Sequence, residues 1–431
     1  MEIEIINTGS EIMLGRILNT HQQFLCAGLT ARGYVVTRQV AIADHGAQIQ
    51  AAIRDSLSRS DLIIATGGLG PTSDDVTRDL IAGLLGKKLR VDAEVLRRLE
   101  TFFAERKRPM PESTKVQALV PEGAQVLQNA NGTAPGLVID VRPNPFRDGS
   151  KPTLLVMLPG PPRELRPMFQ DQVLPLIEKA FPHQAGFVCR TLKTTGLGES
   201  FVEEKIAPLL KHLAPEKIDL GYCARVGEVD VRLVARGADA QRHVADAEQI
   251  IRGALGEHIF GEEEDILEGA VVRLLSERHE TLALAESCTG GFISHRITNV
   301  PGSSEVFLNG LVTYSNESKQ RLLGVREATL TGHGAVSEAT AREMAEGVRR
   351  QSKADYGLAV TGIAGPGGGT VEKPVGTVFI ALATAERTVV KHQVLRYDRE
   401  TFKFVVSQQA LDLVRREIIA STSCNQKGAV S

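Results

Sequence analysis

The chain has 431 residues, which at roughly 150 residues per domain gives two or three domains and argues against a single core. Its 42% apolar and 24% charged residues match an ordinary soluble globular protein and exclude a disordered, collagenous or coiled-coil chain. Fifty Lys and Arg against 52 Asp and Glu leave a net charge of −2, so nucleic acid finds no basic field and a membrane no polybasic surface.

Glycine departs from the average at 41 of 431 residues, about 9.5% against roughly 7%, while aromatics are only 4%. That combination points to backbone-lined loops at phosphates or carboxylates, because a residue without Cβ allows close approach. Cys26, Cys189, Cys223, Cys288 and Cys424 are far apart and form no CxxC pair, so neither a disulfide framework nor a thiolate zinc site is expected. A cytoplasmic location is the corresponding expectation. The acidic start MEIEIINTGSEIMLG reads as a strand entering a loop, and no apolar run reaches the roughly 18 residues of a membrane span.

From residue 2 to about 181 strands and helices alternate: a strand over 3–7, a helix over 19–32, a strand over 34–41, a helix over 47–58 and a strand over 61–65. Alternation of this kind implies a mostly parallel sheet covered on both faces, a three-layer doubly wound α/β domain over 1–182. Its sites lie beyond the carboxyl ends of strands, where Gly9, Gly67, Gly68, Gly70 and Gly160 fall. The segment RPNPFRDGSKP, 142–152, reads as an exposed hairpin loop between strands at 137–141 and 153–158. Over 183–262 the order becomes βαββαβ, a small ferredoxin-like α+β domain without evident chemistry, which suggests a linker and subunit contact. The acidic run 262–265 and an amphipathic helix then open a third, α/β domain over 263–431. Its strands are expected at 281–285, 310–314, 356–361, 376–384 and 388–396, with a closing helix over 400–420.

Two constellations carry chemistry. In IATGGLGPTSDDVT, 64–77, a buried strand ends in a turn whose backbone N–H groups can surround an anion, with a helix beginning near Asp75 behind it. Asp74 and Asp75 would repel a phosphate unless a divalent cation lies between, which suggests a metal-bridged di- or triphosphate; alternatively one Asp is only a helix cap. Asp44 is open to the same two readings. The segments Thr8-Gly9-Ser10-Glu11, 131–135 with Thr133, and 158–162 with Gly160 are expected at the same edge, while His21 and His45 are expected at the surface or at the starts of helices. In the second constellation, LALAESCTGG, 282–291, a strand runs into a small-residue turn and a helix whose free N–H groups would hold an oxyanion. Ser287, Cys288 and Thr289 compete as nucleophile, and Lys319, in YSNESK, is a possible base if burial lowers its pKa. TGIAGPGGG, 361–369, adds a second Gly-rich edge.

These segments together resemble the CinA (competence/damage-inducible protein A) family. NTGSEIMLGRILNTH, ATGGLGPTSDDVTRD, NGTAPG and LPGPPREL are similar to its N-terminal motifs, and AESCTGG, GSSEVF, TYSNESK, HGAVSE, TGIAGPGGG and KPVGTV to those of its C-terminal nicotinamide mononucleotide (NMN) deamidase domain. The resemblance covers essentially the whole chain. It implies a molybdopterin-binding-like N-terminal domain with ADP-ribose pyrophosphatase activity, dependent on a divalent metal (Mg, Mn or Co) with K as an accompanying ion, and a metal-free amidase at the C-terminus. By the same resemblance Ser287 is the nucleophile, Lys319 its base and Tyr314 a third catalytic residue. Thr289, Gly290, Asn316, Gly362, Ala364 and Gly365 are then substrate contacts. In the N-terminal domain Thr8, Gly9, Glu11, Gly67, Gly68, Gly70, Thr133 and Gly160 contact substrate, and Asp44, Asp74 and Asp75 hold metal. The partners implied are small nucleotides and a second copy in a homodimer, with neither membrane nor nucleic acid. A different class of reading keeps only the C-terminal enzyme and makes the N-terminal domain a non-catalytic nucleotide- or pterin-binding module.

Overall fold

The computed structural model describes residues 1–182, 186–211 and 217–428, without the side chains of 150 and 422–428. Cys424, the first residues of the expected middle domain and the end of its expected first helix lie outside that description. The chain divides into two compact units, Met1–Ala185 and Gly186–Ser431.

The first unit contains strands β1 (Ile3–Thr8), β2 (Arg38–Ile42), β3 (Leu62–Thr66), β4 (Leu89–Val91), β5 (Leu119–Pro121), β6 (Gln125–Leu127), β7 (Gly136–Val141) and β8 (Thr153–Leu158). Six of them form one sheet in the order β2-β1-β3-β8-β7-β6, parallel from β2 to β8 and antiparallel beyond, and β4 pairs with β5 in a separate ribbon. Period-two alternation gives the central strands β1, β3 and β8 two buried faces. Ile3, Ile5, Leu62, Ile64, Val156 and Leu158 meet the helices Thr20–Thr30 and Pro162–Met168, while Ile6, Ile63, Ala65, Leu155 and Met157 meet the helix Gly46–Leu57. This is the expected three-layer arrangement.

Three local expectations are corrected. The second strand starts at Arg38 rather than 34, because Tyr34 turns into the core and its hydroxyl donates to the Phe181 carbonyl at 2.8 Å. The loop 142–152 is not a free hairpin: buried Asn144 donates to the Leu57 carbonyl at 2.8 Å and to Thr153 Oγ1 at 2.9 Å, and Arg147 pairs with Asp61 at 2.8 Å. The helix expected near Asp75 begins at Thr77, and neither Asp74 nor Asp75 caps it.

In the second unit β9 (Phe187–Thr195), β10 (Asp219–Arg225), β11 (Glu228–Arg236) and β12 (Ile259–Glu262) form an antiparallel sheet in the order β10-β11-β9-β12, the ferredoxin-like order. Its helices Glu199–Leu210 and Ala240–Leu255 share one core with it. The other sheet contains β13 (Leu282–Glu286), β14 (Phe307–Val312), β15 (Tyr356–Gly362), β16 (Thr377–Ala383) and β17 (Thr388–Val394), in the order β14-β13-β15-β16-β17. The first three are parallel and the last two antiparallel. β14 ends two residues before the expected Tyr314, and the carbonyls of Thr313 and Tyr314 are freed for a side chain of the next helix.

One face of this sheet is built from small residues: Ala283, Ala285, Ala359, Ala381 and Ala383 pack against Ala341, Met344, Ala345 and Val348 of the helix Glu338–Ser352. Alanine on both sides lets the helix lie close to the sheet. The same helix presses Gly347 against the carbonyl of Leu323, the last residue of the helix Asn316–Leu323, leaving no room for a Cβ. The Gly347→Ala substitution therefore pushes two helices apart and lowers stability by about 1–3 kcal/mol, the usual cost of overpacking. Denaturant unfolding of the full chain checks this; an unchanged midpoint contradicts the contact.

Candidate active sites

Ser287 stands directly after β13 and is 9% exposed, its N–H bonded to the Val360 carbonyl of β15 at 3.0 Å. Lys319 sits one turn into the helix Asn316–Leu323 and is buried with Nζ 3.1 Å from Ser287 Oγ. Nζ also donates to the Thr313 carbonyl at 2.7 Å and to the Tyr314 carbonyl at 3.4 Å. No carboxylate pairs with it among the described residues. Burial holds the Lys319 amine below its ordinary pKa. The amine is thus surrounded by two backbone carbonyls and the Ser287 hydroxyl. Cys288, the competing nucleophile, is buried and its thiol is pushed up to about 12, chiefly by desolvation, so it carries no thiolate at neutral pH.

The helix N-terminus behind this turn is occupied. Glu286 accepts from the N–H groups of Gly291 and Ile293 at 3.1 Å and of Ser294 at 2.8 Å, and from the Ser294 hydroxyl at 2.7 Å. The oxyanion donors expected there are thus taken by a carboxylate of the protein. Among the described residues, the N–H groups of Cys288 and Thr289 in the turn itself have no acceptor, and neither has the buried Thr289 hydroxyl.

Around the dyad, the exposed Tyr314 ring turns its hydroxyl toward Arg399, which donates to it at 3.1 Å and to the Gly365 carbonyl at 2.9 Å. Tyr314 makes no bond to Ser287. Asn316 opens the Lys319 helix and is exposed. Ala364 is buried in the core, so only its backbone faces outward, and a Cβ on Gly362 would meet the Thr377 carbonyl at 2.7 Å, a requirement of strand pairing rather than of a ligand. Arg399 is the residue that sequence reasoning missed. It is exposed and forms no ion pair among the described residues. Its one sequence signal is an Arg at the start of the closing helix.

In the first unit, Thr8, Gly9 and Glu11 after β1, Asp44 after β2, and Gly67, Gly68, Gly70, Asp74 and Asp75 after β3 line one cleft of about 310 Å³, with Thr133 and Gly160 on its other side. The lining includes five carboxylates, Glu11, Asp44, Asp74, Asp75 and Glu164, and no Lys, Arg or His. Asp44 Oδ2 accepts from the Ser10 N–H at 2.7 Å, while Asp75 Oδ2 accepts from the Thr72 N–H at 3.0 Å and from the Thr72 hydroxyl, closing the turn. Hydrogen bonds from the same turn hold the exposed Asp74 below the usual carboxylate range. Among the described residues no three His, Cys, Asp or Glu side chains converge as a metal cage. Glu164 was not anticipated: it is buried, accepts from Asn129 Nδ2 at 2.6 Å, and burial raises its pKa. Gln117 Oε1, also unanticipated, is buried on the cleft wall without a donor. His21 is helix-bound but not free: its Nε2 meets the Gly160 carbonyl at 2.5 Å.

A doubly wound sheet with a Gly-rich, acid-lined edge, followed by a ferredoxin-like domain and an α/β domain with a Ser–Lys pair, defines a multidomain α/β protein. Comparison with known families agrees in order: residues 4–179 match a probable molybdopterin binding domain, 189–261 the damage-inducible protein CinA KH domain, and 264–418 the CinA C-terminal domain. The chain is 44% identical to a competence-damage inducible protein of Caldicellulosiruptor bescii over 97% of its length and 100% of that protein, and 44% identical to one of Symbiobacterium thermophilum over 97% and 99%. A solved competence/damage inducible protein, CihA from Agrobacterium tumefaciens, is 39% identical and covers 34% of this chain and 91% of its own, with a TM-score of 0.34. The chain belongs to the CinA family. No helix among the described residues is long and apolar enough to cross a membrane.

The Glu286 cap is testable by itself. Glu286→Ala leaves three helix N–H groups without an acceptor and destabilises the fold by about 1–2 kcal/mol, the scale of a lost N-cap. Glu286→Gln, which keeps one amide oxygen, loses less. Chemical denaturation of both variants reads the difference, and a Glu286→Ala protein as stable as the parent refutes the cap.

Proposed function

We propose that the C-terminal domain is a Ser–Lys amidohydrolase that converts NMN to nicotinic acid mononucleotide and ammonia, and that the N-terminal cleft hydrolyses the diphosphate of ADP-ribose with a divalent metal. The observation that carries the first reading is the buried Lys319 amine 3.1 Å from Ser287 Oγ with no carboxylate to keep it charged. Neutral Lys319 takes the Ser287 proton as Oγ adds to the carboxamide carbon. The resulting oxyanion faces the open N–H groups of Cys288 and Thr289. Lys319 returns the proton to the leaving nitrogen, ammonia departs, and water deprotonated by Lys319 cleaves the acyl-enzyme to the carboxylate and free Ser287. Arg399, held by Gly365 and Tyr314 at the rim, is an unpaired cation suited to the nucleotide phosphate.

The second reading rests on the charge of the N-terminal cleft. Five carboxylates and no cationic side chain repel a diphosphate unless a cation enters with it. The donor set fits such an ion: Asp74, Asp75 and the orphaned Gln117 oxygen are hard oxygen ligands on the cleft wall. Asp74, Asp75 and Gln117 would hold such an ion, which would supply charge neutralisation of the diphosphate. In this reading Glu164, whose pKa burial raises, moves the proton of the attacking water.

Ser287→Ala and Lys319→Ala each reduce ammonia release from NMN by about 10³-fold or more while ADP-ribose cleavage persists. Because the neutral amine is the active form, kcat/KM for NMN rises with pH and levels off above a pKa lower than that of a free lysine. Lys319→Arg, always charged, stays inactive at every pH; a fully active Lys319→Arg protein overturns the assignment. In the second domain, a chelator abolishes release of AMP from ADP-ribose without slowing ammonia release, and Asp74→Asn raises the metal concentration needed to restore it. ADP-ribose binding without any AMP formation, across Mg, Mn and Co, favours a non-catalytic binding module instead.

A further inference from the structure

Beside the acidic cleft, and sharing Thr133 with it, lies a groove of about 250 Å³ along the helix Ala93–Glu105. The two are physically joined: Asn129 and Gly132, on the groove wall, both pack against Glu164 of the cleft. Their charge is opposite. The groove is lined by Arg97, Arg98 and Arg106 against a single carboxylate, Glu105. Arg97 is spent on Glu94 at 2.7 Å, but Arg98 and Arg106 form no ion pair among the described residues. Arg98 donates to Gln128 Oε1, and Arg106 donates to the Phe102 carbonyl at 3.1 Å.

That last bond lays the Arg106 guanidinium over the Phe102 ring, 3.6 Å from its centroid. A guanidinium stacked on a phenyl ring is a flat, cationic platform, the kind of surface on which a heteroaromatic base stacks.

We propose that this groove is the nucleobase subsite of the N-terminal domain: a nucleoside diphosphate ligand places its phosphates in the acidic cleft and its base against Arg106 and Phe102, with Arg98 near the phosphate nearest the nucleoside. The inference rests on the diphosphate reading of the cleft and adds which half of the ligand goes where. It also explains why one end of the site is acidic and the other basic. The metal offsets the phosphates at one end, and side chains hold the base at the other.

The test is calorimetric binding of ADP and of inorganic diphosphate, each with Mg, to the full-length protein and to the Arg106→Ala and Phe102→Ala variants. Both variants are expected to weaken ADP binding about tenfold, the scale of one lost base stack, and to leave inorganic diphosphate within twofold. Circular dichroism and unfolding midpoints confirm that the variants are folded, and Arg106→Lys, which keeps charge but not the plane, is expected to behave like Arg106→Ala. ADP binding unchanged in the variants, or ADP and diphosphate weakened equally, overturns the subsite while leaving the cleft reading intact. A parent protein that binds neither ligand overturns both.

Discussion

The burial of one amine organises the C-terminal domain. A charged lysine removed from water without a carboxylate is disfavoured, so the fold that buries Lys319 also lowers the pKa of its amine. Everything around it serves that condition. β14 stops short so that two carbonyls can receive the amine's hydrogens, and Gly347 lets the neighbouring helix come close enough to hold the Lys319 helix in place. Glu286, the nearest carboxylate in sequence to Ser287, would restore the charge if it faced Lys319. Four donors on the adjacent helix hold it elsewhere. The helix N-terminus is therefore closed by a carboxylate of the protein itself.

The two sites obey the same topological rule with opposite electrostatics. In both sheets the first strand of the order is flanked by the second and third, β1 by β2 and β3, β13 by β14 and β15, and each site lies at the carboxyl ends where the order reverses. There the strand-end loops separate and leave a crevice between them. What fills it differs: the N-terminal crevice collects five carboxylates, whereas Ser287 and Lys319 have none directed at them. One crevice thus concentrates negative charge, while the other buries an amine that has no carboxylate partner among the described residues.

What the sequence disclosed follows from the range of the forces involved. Alternation and strand-end glycines are local, and they place the three-layer domain, the ferredoxin-like order and the loops of both sites within a few residues. Where expectation slipped on the strands and loops, a long-range contact decided: Tyr34 reaching Phe181 and Asn144 reaching Leu57. Arg399 and Glu164 escaped for the same reason, since an Arg at a helix start and a Glu in a Pro-rich helix look like ordinary surface charges until the fold brings them to Gly365 and Asn129. The groove along the helix Ala93–Glu105 was illegible because Arg98, Phe102 and Arg106 sit at helical spacing without any glycine beside them.

The glycine excess divides in the same way. A side chain on Gly67 would meet the Thr8 carbonyl at 2.7 Å, and one on Gly68 or Gly70 would run into Thr77 or Asp75. At these three positions the protein itself needs the space. At Gly160 the nearest atom to an added Cβ is 3.8 Å away, on Gly67, so the room there opens into the cleft. Composition alone cannot separate the two uses, because both remove the same atom. Packing makes the loop tight enough to fix its N–H groups, and only then does the remaining open position give a ligand access to them. A Gly-rich strand end is thus a rigid frame first and an open surface second.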